Sequence, residues 1–265
     1  MQSLGLIAGK GALPLIVCET ARQRGRSVIA VTFHAEVADA LEGLATVHRC
    51  ALGQAGKVIG IFKEAGVNEV VLIGKIDKTA VFENLKFDLR AVKMMGRLLQ
   101  KDDRSIMNAI IAELEGEGIA VAEQTDWLPV LFPQKGVLGK IAPSAALAQE
   151  FERSMALCRT LAGMEIGQTI IVKDGAVLAV EAVEGTDETI RRGCGLGGKG
   201  AVMIKASRPD QNLRYDIPTV GVRTVELLAE WGAAALAVEA GGVVVVNLPA
   251  VAAACDKHNI VLAAV

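Results

Sequence analysis

The residues with the densest chemical potential sit in one stretch, SRPDQNLRYDIPTVG, from Ser207 to Gly221. Arg208, Asp210, Arg214 and Asp216 fall between two prolines and a glycine, in a segment too charged for a core strand and too irregular for a helix. Pro218 keeps the residue before it extended. If the extended path reaches back through Arg214, that arginine and Asp216, two positions apart, face the same side. An arginine beside a carboxylate is either a structural ion pair or a phosphate anchor next to a metal ligand or base.

A second cluster, AVEAVEGTD, runs from Ala179 to Asp187. Glu181 and Glu184 have opposite parity, so a regular strand sends them to opposite faces unless Gly185 bends the chain. Thr186 and Asp187 read as a helix start whose side-chain oxygens cap free N–H groups. A carboxylate at a strand end is also a good ligand for a hard cation.

The amino-terminal half offers two glycine–lysine turns. In AGKGALP (Ala8 to Pro14), Gly9, Lys10 and Gly11 lead from a strand into a helix, which presents backbone N–H groups and a positive dipole end to an anion. Pro14 occupies the third glycine position of a dinucleotide fingerprint. Phe33 stands near where a ribose-binding acid belongs, and Glu36 comes slightly late. The second turn, IGKID, carries Gly74 and Lys75 at the same carboxyl edge of a parallel sheet, so the two lysines are expected to converge on one phosphorylated ligand. The alternative for both turns is a tight solvated loop without a ligand. A helix bearing Lys86, Arg90, Lys93, Arg97 and Lys101 beside Leu85, Leu89, Val92 and Leu99 is either the wet face of a packed helix or a surface that rests on anionic lipid.

The elements that position these groups follow from apolar spacing. LGLIA (Leu4 to Ala8), SVIAVTF (Ser27 to Phe33) and NEVVLIG (Asn68 to Gly74) are unbroken apolar strands. They alternate with helices over Pro14 to Arg24 and Gly53 to Gly66, the pattern of a parallel sheet covered on both faces. Helices over Asn84 to Gln100 and Arg104 to Glu115 and a strand over Ile119 to Glu123 complete a doubly wound α/β domain, residues 1–132. LFPQKGVLGKIAP, with Pro133, Gly136, Gly139 and Pro143, reads as the linker. Residues 133–265 form a mixed α/β domain. It has a helix from Ser144 to about Ala162, a hairpin turning at Asp174-Gly175, a strand over Ala201 to Ala206, and a helix from Thr224 followed by the strand VVVVN.

The 265-residue length suits two domains of the common ~100–150 residues. Hydrophobic residues at 52% exclude a disordered chain, while 3% aromatics and a net charge of −2 argue against a nucleic-acid partner. Cys18, Cys50, Cys158, Cys194 and Cys255 lack zinc-like spacing and read as reduced and buried, which points to the cytosol. The amino terminus lacks a basic n-region, and no apolar run is long enough to span a bilayer.

Taken together, AGKGALP, the IGK turn, KDD (Lys101 to Asp103), EIGQ (Glu165 to Gln168), VEAVEGTD and PDQNLRYDIPTVG resemble, in order and spacing, the LpxI-type UDP-2,3-diacylglucosamine pyrophosphatase family of lipid A biosynthesis. The likeness runs over essentially the whole chain. It implies a Rossmann-like amino-terminal domain, a family-specific carboxy-terminal domain with substrate between them, and Mg2+- or Mn2+-dependent hydrolysis of the substrate to UMP and 2,3-diacylglucosamine 1-phosphate. It further implies a peripheral protein on the cytoplasmic face of a Gram-negative inner membrane, with a homodimer as a candidate assembly.

Carried over by motif, Asp216 of R-x-D-x-P is the expected catalytic carboxylate, and Asp187 of G-T-D joins it in catalysis and metal binding. Gly9, Lys10, Gly11, Gly74, Lys75, Asp102, Gln168, Thr186, Gln211 and Arg214 are the expected substrate-binding residues. Glu165 stands where the family has aspartate in D-x-G-Q. Asn212 stands where aspartate follows glutamine, which shifts metal duty to Asp216 and Asp187. Two other functions fit the residues less fully: a dinucleotide-dependent oxidoreductase and a non-catalytic nucleotide-sugar sensor.

Overall fold

The computed structural model describes residues 3–75, 87–98, 103–128 and 131–265. The chain divides into two compact units, Met1–Leu128 with Leu213–Tyr215, and Pro129–Asn212 with Asp216–Val265.

The first unit is built on the parallel strands β1 (Leu4–Ala8), β2 (Val28–Thr32), β3 (Thr46–Arg49), β4 (Glu69–Ile73) and β5 (Ala120–Val121), in the order β3-β2-β1-β4-β5. This is the doubly wound arrangement expected from the apolar runs. β3 was not foreseen, because Thr46–Arg49 is polar and half exposed at the sheet edge and carries no apolar signal. Helix α1 (Leu13–Gln23) has proline in its first turn, where the missing N–H costs nothing, and Gly25 at φ 69° ends it. Helix α2 (Ala35–Ala40) follows β2, and α3 (Ala55–Glu64) buries Val58, Ile59 and Phe62 against the sheet. α4 (Leu89–Gly96) is capped by the Asp88 carboxylate, which accepts from the Ala91 N–H. α5 (Asp103–Gly116) and the short α6 (Gln124–Trp127) complete the unit. Asp102, Lys86 and Lys101, with both ends of the helix expected over Asn84 to Gln100, lie outside the described residues.

The excursion Leu213–Tyr215 belongs to this unit through named contacts. The Gln124 N–H donates to the Leu213 carbonyl at 2.8 Å, Arg214 pairs with Glu115 at 3.0 Å, and Tyr215 packs against the unit's core.

The second unit holds a mixed sheet in the order β6-β13-β11-β9-β7-β8. Its strands are β6 (Gly136–Val137), β7 (Thr169–Lys173), β8 (Ala176–Val180), β9 (Val202–Lys205), β11 (Ala235–Val238) and β13 (Val261–Ala264). A separate parallel pair joins β10 (Thr219–Val220) and β12 (Val244–Val245). The hairpin turns at Asp174 and Gly175, with φ 50° and 79°, a left-handed pair that suits the strand twist.

Alternate residues of the central strands feed two cores. Ile171, Met203, Leu236 and Leu262 pack with helices α8 (Thr186–Gly197), α9 (Val222–Glu230) and α10 (Leu248–Lys257). Ile170, Val172, Val202, Ile204, Ala235 and Val261 pack with α7 (Ala145–Gly163), which the Ser144 hydroxyl caps. The segment expected to be a free linker is instead fastened to this unit. β6 pairs antiparallel with β13, and Asp256 accepts the Lys140 N–H at 2.8 Å, because an open sheet edge offers partners to backbone groups.

The two glycine turns of the first unit are joined backbone to backbone. The Gly9 N–H donates to the Ile73 carbonyl at 2.8 Å, and Lys10 and Lys75 exchange N–H···O bonds of 2.8 and 3.0 Å. A Cβ on Gly9 would lie 2.5 Å from the Gly74 carbonyl carbon, whereas a Cβ on Gly11 would meet nothing within 4 Å. Gly9→Ala is therefore expected to destabilise the protein by about 3 kcal/mol through a main-chain clash. Gly11→Ala, at φ 105°, is expected to cost only about 1–2 kcal/mol of backbone strain. Urea denaturation midpoints check the ranking, and equal midpoints for the two variants would refute it.

Candidate functional site

In the first unit the lysines are brought together as the parallel-sheet argument required. Paired residues of an antiparallel bridge send their side chains to one side, so Lys10 and Lys75 share a face. The N–H groups of Gly9, Lys10 and Lys75 are spent on the backbone bridge, which removes three of the donors expected to face an anion. The Lys10 ammonium lies 2.9 Å from the Glu36 carboxylate, and this hydrogen bond holds the Glu36 carboxyl below its ordinary range. Lys10, Gly11, Pro14, Leu15, Glu36 and Val37 line a hollow of about 150 Å3.

The second unit gathers its polar groups where β8 and β9 end and β7 begins, the strand edge at which open α/β sheets bind ligands. A cavity of about 220 Å3 there is lined by Glu165, Gly167, Gln168, Glu181, Arg208 and Asp216, together with Ala162 and Ala182. The local sequence explains its walls. Gly167 passes so close to the chain after β8 that a Cβ would stand 2.0 Å from the Glu181 carbonyl oxygen, so the glycine of EIGQ is obligatory. Glu165, just past the C-terminus of α7, adopts φ 59°. This left-handed conformation disfavours a glutamate relative to glycine or asparagine.

The stretch from Ser207 to Gly221 is not extended through Arg214 as expected. Leu213–Tyr215 is a turn, and the Asp216 N–H donates to the Asn212 carbonyl at 3.1 Å. Arg214 pairs with Glu115, and the arginine that pairs with Asp216 is Arg208, which also lies 3.9 Å from Glu165. The reason is local: the turn breaks the two-residue alternation that would have aligned Arg214 with Asp216. The Arg208 side chain is mostly buried, and its Nε has no hydrogen-bond partner among the described residues.

Gln211 holds this loop closed. Its carbonyl oxygen accepts from the Gln168 side-chain amide at 2.6 Å and from the Arg208 N–H at 3.1 Å, while its own amide donates to the Asp216 carbonyl. Glu239 secures the start of the loop, accepting from the Ser207 N–H and hydroxyl at 2.7 and 2.6 Å.

Thr186 and Asp187 do open a helix, but not by capping it. Gly185, at φ 81°, is the N-cap, and no side chain caps the first turn. The Thr186 hydroxyl instead donates to Glu181 at 2.7 Å, and Asp187 pairs with the exposed Arg223 at 3.0 Å. The chain leaves the sheet after Val180 and turns, so strand parity does not decide where the two glutamates of VEAVEG go. Glu181 enters the cavity wall and accepts the Gln168 N–H at 3.3 Å, whereas Glu184 pairs with Arg192.

Behind Glu181 lies Lys205, only 4% exposed, which donates to Thr169 at 2.9 Å and Thr186 at 3.0 Å. Burial pushes its pKa down, against the pull of the Glu181, Asp216 and Asp187 charges. Lys205 was not among the expected site residues, although a signal existed. In VMIK it shares parity with the buried Met203, which places a lysine on a core-facing position.

Among the described residues, no three His, Cys, Asp or Glu side chains gather closely enough to hold a metal ion. Magnesium commonly takes one or two carboxylates and completes its shell with water and substrate phosphate. Asp216, a hard oxygen donor with its side chain 40% exposed, lines the cavity and fits as one such ligand, whereas Asp187 pairs with Arg223 and is not among the lining residues. The cysteines are free, and burial pushes the Cys158 thiol up to about 12 and those of Cys18 and Cys194 to about 11, far from a reactive thiolate. Among the described residues, no helix is long and apolar enough to cross a membrane.

Comparison with known proteins covers both units. Residues 3–131 match the LpxI N-terminal domain and residues 134–263 match the LpxI C-terminal domain. The UDP-2,3-diacylglucosamine pyrophosphatase LpxI of Caulobacter vibrioides is 31% identical over 267 aligned positions, spanning 97% of this chain and 95% of that protein. Among solved structures, a biotin carboxylase domain of a thermophilic 2-oxoglutarate carboxylase matches 72% of this chain and 32% of its own at 14% identity. Its TM-score of 0.28 is too low to support an argument. With both family domains matched in order and nearly the whole length aligned to a curated member, the chain belongs to the LpxI family.

Proposed function

We propose that the protein hydrolyses the pyrophosphate of UDP-2,3-diacylglucosamine, releasing UMP and 2,3-diacylglucosamine 1-phosphate. The observation that carries this reading is the cavity of the second unit, where Arg208 and Asp216 stand side by side in a chain aligned end to end with a pyrophosphatase of that name. The reaction adds the oxygen of water to one phosphorus and breaks the bridging P–O bond, whose electron pair stays on the bridging oxygen. The same two monophosphates result whichever phosphorus is attacked.

The roles follow from charge and position. Arg208, mostly buried and with an unpaired Nε among the described residues, holds phosphate oxygens in its planar donor fork. Once phosphate occupies Arg208, the Asp216 carboxylate is released to orient the attacking water and accept its proton. Asp216 and Asp187 would be the residues to hold Mg2+ or Mn2+, and such a metal would neutralise developing phosphoryl charge. In the first unit, Lys10 and Lys75 share a face and are themselves candidates to bind phosphate.

The diacyl substrate resides in a membrane, and peripheral contact with its cytoplasmic face fits α4. That helix exposes Leu89 and Val92 at 82% and 53% beside Lys93 and Arg97. Arg90 contributes to its own unit instead, pairing with Glu113 and Glu117.

Incubation with UDP-2,3-diacylglucosamine is expected to yield UMP at a rate abolished by EDTA and restored by Mg2+ or Mn2+. Full turnover in chelator would remove the metal from the reading, and no UMP at all would remove the substrate. Asp216→Asn is expected to lower kcat by about 10^2- to 10^4-fold with KM changed little, because a proton acceptor acts in the transition state. Wild-type kcat in that variant, measured by UMP release, would take the role away from Asp216.

A further inference from the structure

A buried lysine is costly, and the reaction described above gives Lys205 no task. Its ammonium sits on β9 directly across from Thr169 on β7, its antiparallel partner in the register. The fold offers that ammonium three oxygens on one side of the sheet: Thr169 Oγ1 at 2.9 Å, Thr186 Oγ1 at 3.0 Å and a Glu181 carboxylate oxygen at 3.8 Å. The Thr186 hydroxyl, having accepted from Lys205, donates onward to the other Glu181 oxygen at 2.7 Å. Glu181 is itself mostly buried, accepts the Gln168 N–H at 3.3 Å and lines the cavity.

These bonds form one directed chain from the sheet interior to the cavity wall. We propose that Lys205 is a positioning residue of this site: through Thr186 and Glu181 it fixes the backbone of Gln168 and the start of the GTD helix, and so holds the cavity in the geometry the reaction needs.

Charge makes the arrangement specific. The ammonium neutralises Glu181 inside the protein, where an uncompensated carboxylate would be expelled or protonated. Glu181 contacts it directly, and the charges of Asp187 in the first turn of α8 and Asp216 in the loop after β9 also favour its protonated form. A neutral side chain of equal length fills the volume but leaves those carboxylates without their internal cation. A structural lysine serving only its own strand would show no such convergence on a cavity wall.

The inference rests on the hydrolytic reading for its kinetic consequence but not for its geometric one, and the experiment separates them. Lys205→Met keeps the apolar length and removes the charge. It is expected to lower kcat for UMP release about 10^2-fold while leaving KM within a few-fold, the signature of misplacement rather than lost substrate contact. Thr169→Val deletes one of the lysine's acceptors and is expected to lower kcat about 2- to 10-fold, whereas Thr169→Ser keeps the hydroxyl and is expected to restore it.

In the same protein the backbone amide proton of Gln168, followed by NMR, should shift in Lys205→Met. An unmoved Gln168 resonance in Lys205→Met would overturn the proposal whatever the reaction proves to be. A moved resonance with unchanged kcat would overturn its catalytic consequence. If the wild-type protein releases no UMP, the hydrolytic reading fails and the Gln168 shift alone decides the positioning role. If Lys205→Met does not fold, the threonine pair decides.

Discussion

A strand covered on both faces cannot accommodate an unpaired polar side chain, and most of the molecule follows from that constraint. Desolvating a lone amide or hydroxyl costs a few kcal/mol, and a lone charge far more. β1, β4, β9 and β11 are accordingly apolar at almost every position, so the chemistry is displaced to the residues that enter and leave the strands. Gly167, Gln168, Glu181, Arg208 and Asp216 all lie just outside the mixed sheet. The polar side chains that remain inside strands are partnered as the constraint demands: Thr32 donates to the Ala8 carbonyl, and three oxygens, Thr169 Oγ1 among them, converge on Lys205.

The cavity is thus less a set of independent ligands than a cross-braced frame. Gln211 ties Gln168 to both ends of the loop that carries Arg208 and Asp216, and Glu239 ties down the loop's beginning. Arg208 and Asp216 neutralise each other within this frame, which keeps a mostly buried guanidinium from being an isolated charge. The phosphoryl chemistry proposed for the site uses that same opposition, since an anion that satisfies Arg208 weakens its hold on the carboxylate.

Much of this was legible in the sequence, for identifiable reasons. Unbroken apolar runs such as LGLIA and NEVVLIG are long enough and clean enough to mark parallel strands, and the Asp174-Gly175 pair specifies its hairpin through positive φ. Motif resemblance singled out Asp216, Gln168 and Gln211, and in the structure Gln211 bonds to Gln168 and to the Asp216 carbonyl. What escaped was set by tertiary contact. β3 and β6 are edge strands whose pairing comes from a neighbour rather than from their own composition. The turn at Leu213–Tyr215 removed the extended path on which Arg214 and Asp216 would have faced the same side, and the Thr186 hydroxyl was drawn from a cap to Glu181 by a partner outside its own helix.

The backbone junction between Gly9 and Gly74 constrains how this half of the molecule can change. Each glycine is excluded from bearing a side chain by the main-chain atoms of the other, at 2.5 and 2.7 Å. Trimming a neighbour elsewhere cannot compensate, because every residue carries the same carbonyl group. The neighbouring lysines are under no such steric limit, whereas the two glycines themselves are locked as a pair with no second-site suppressor among side chains.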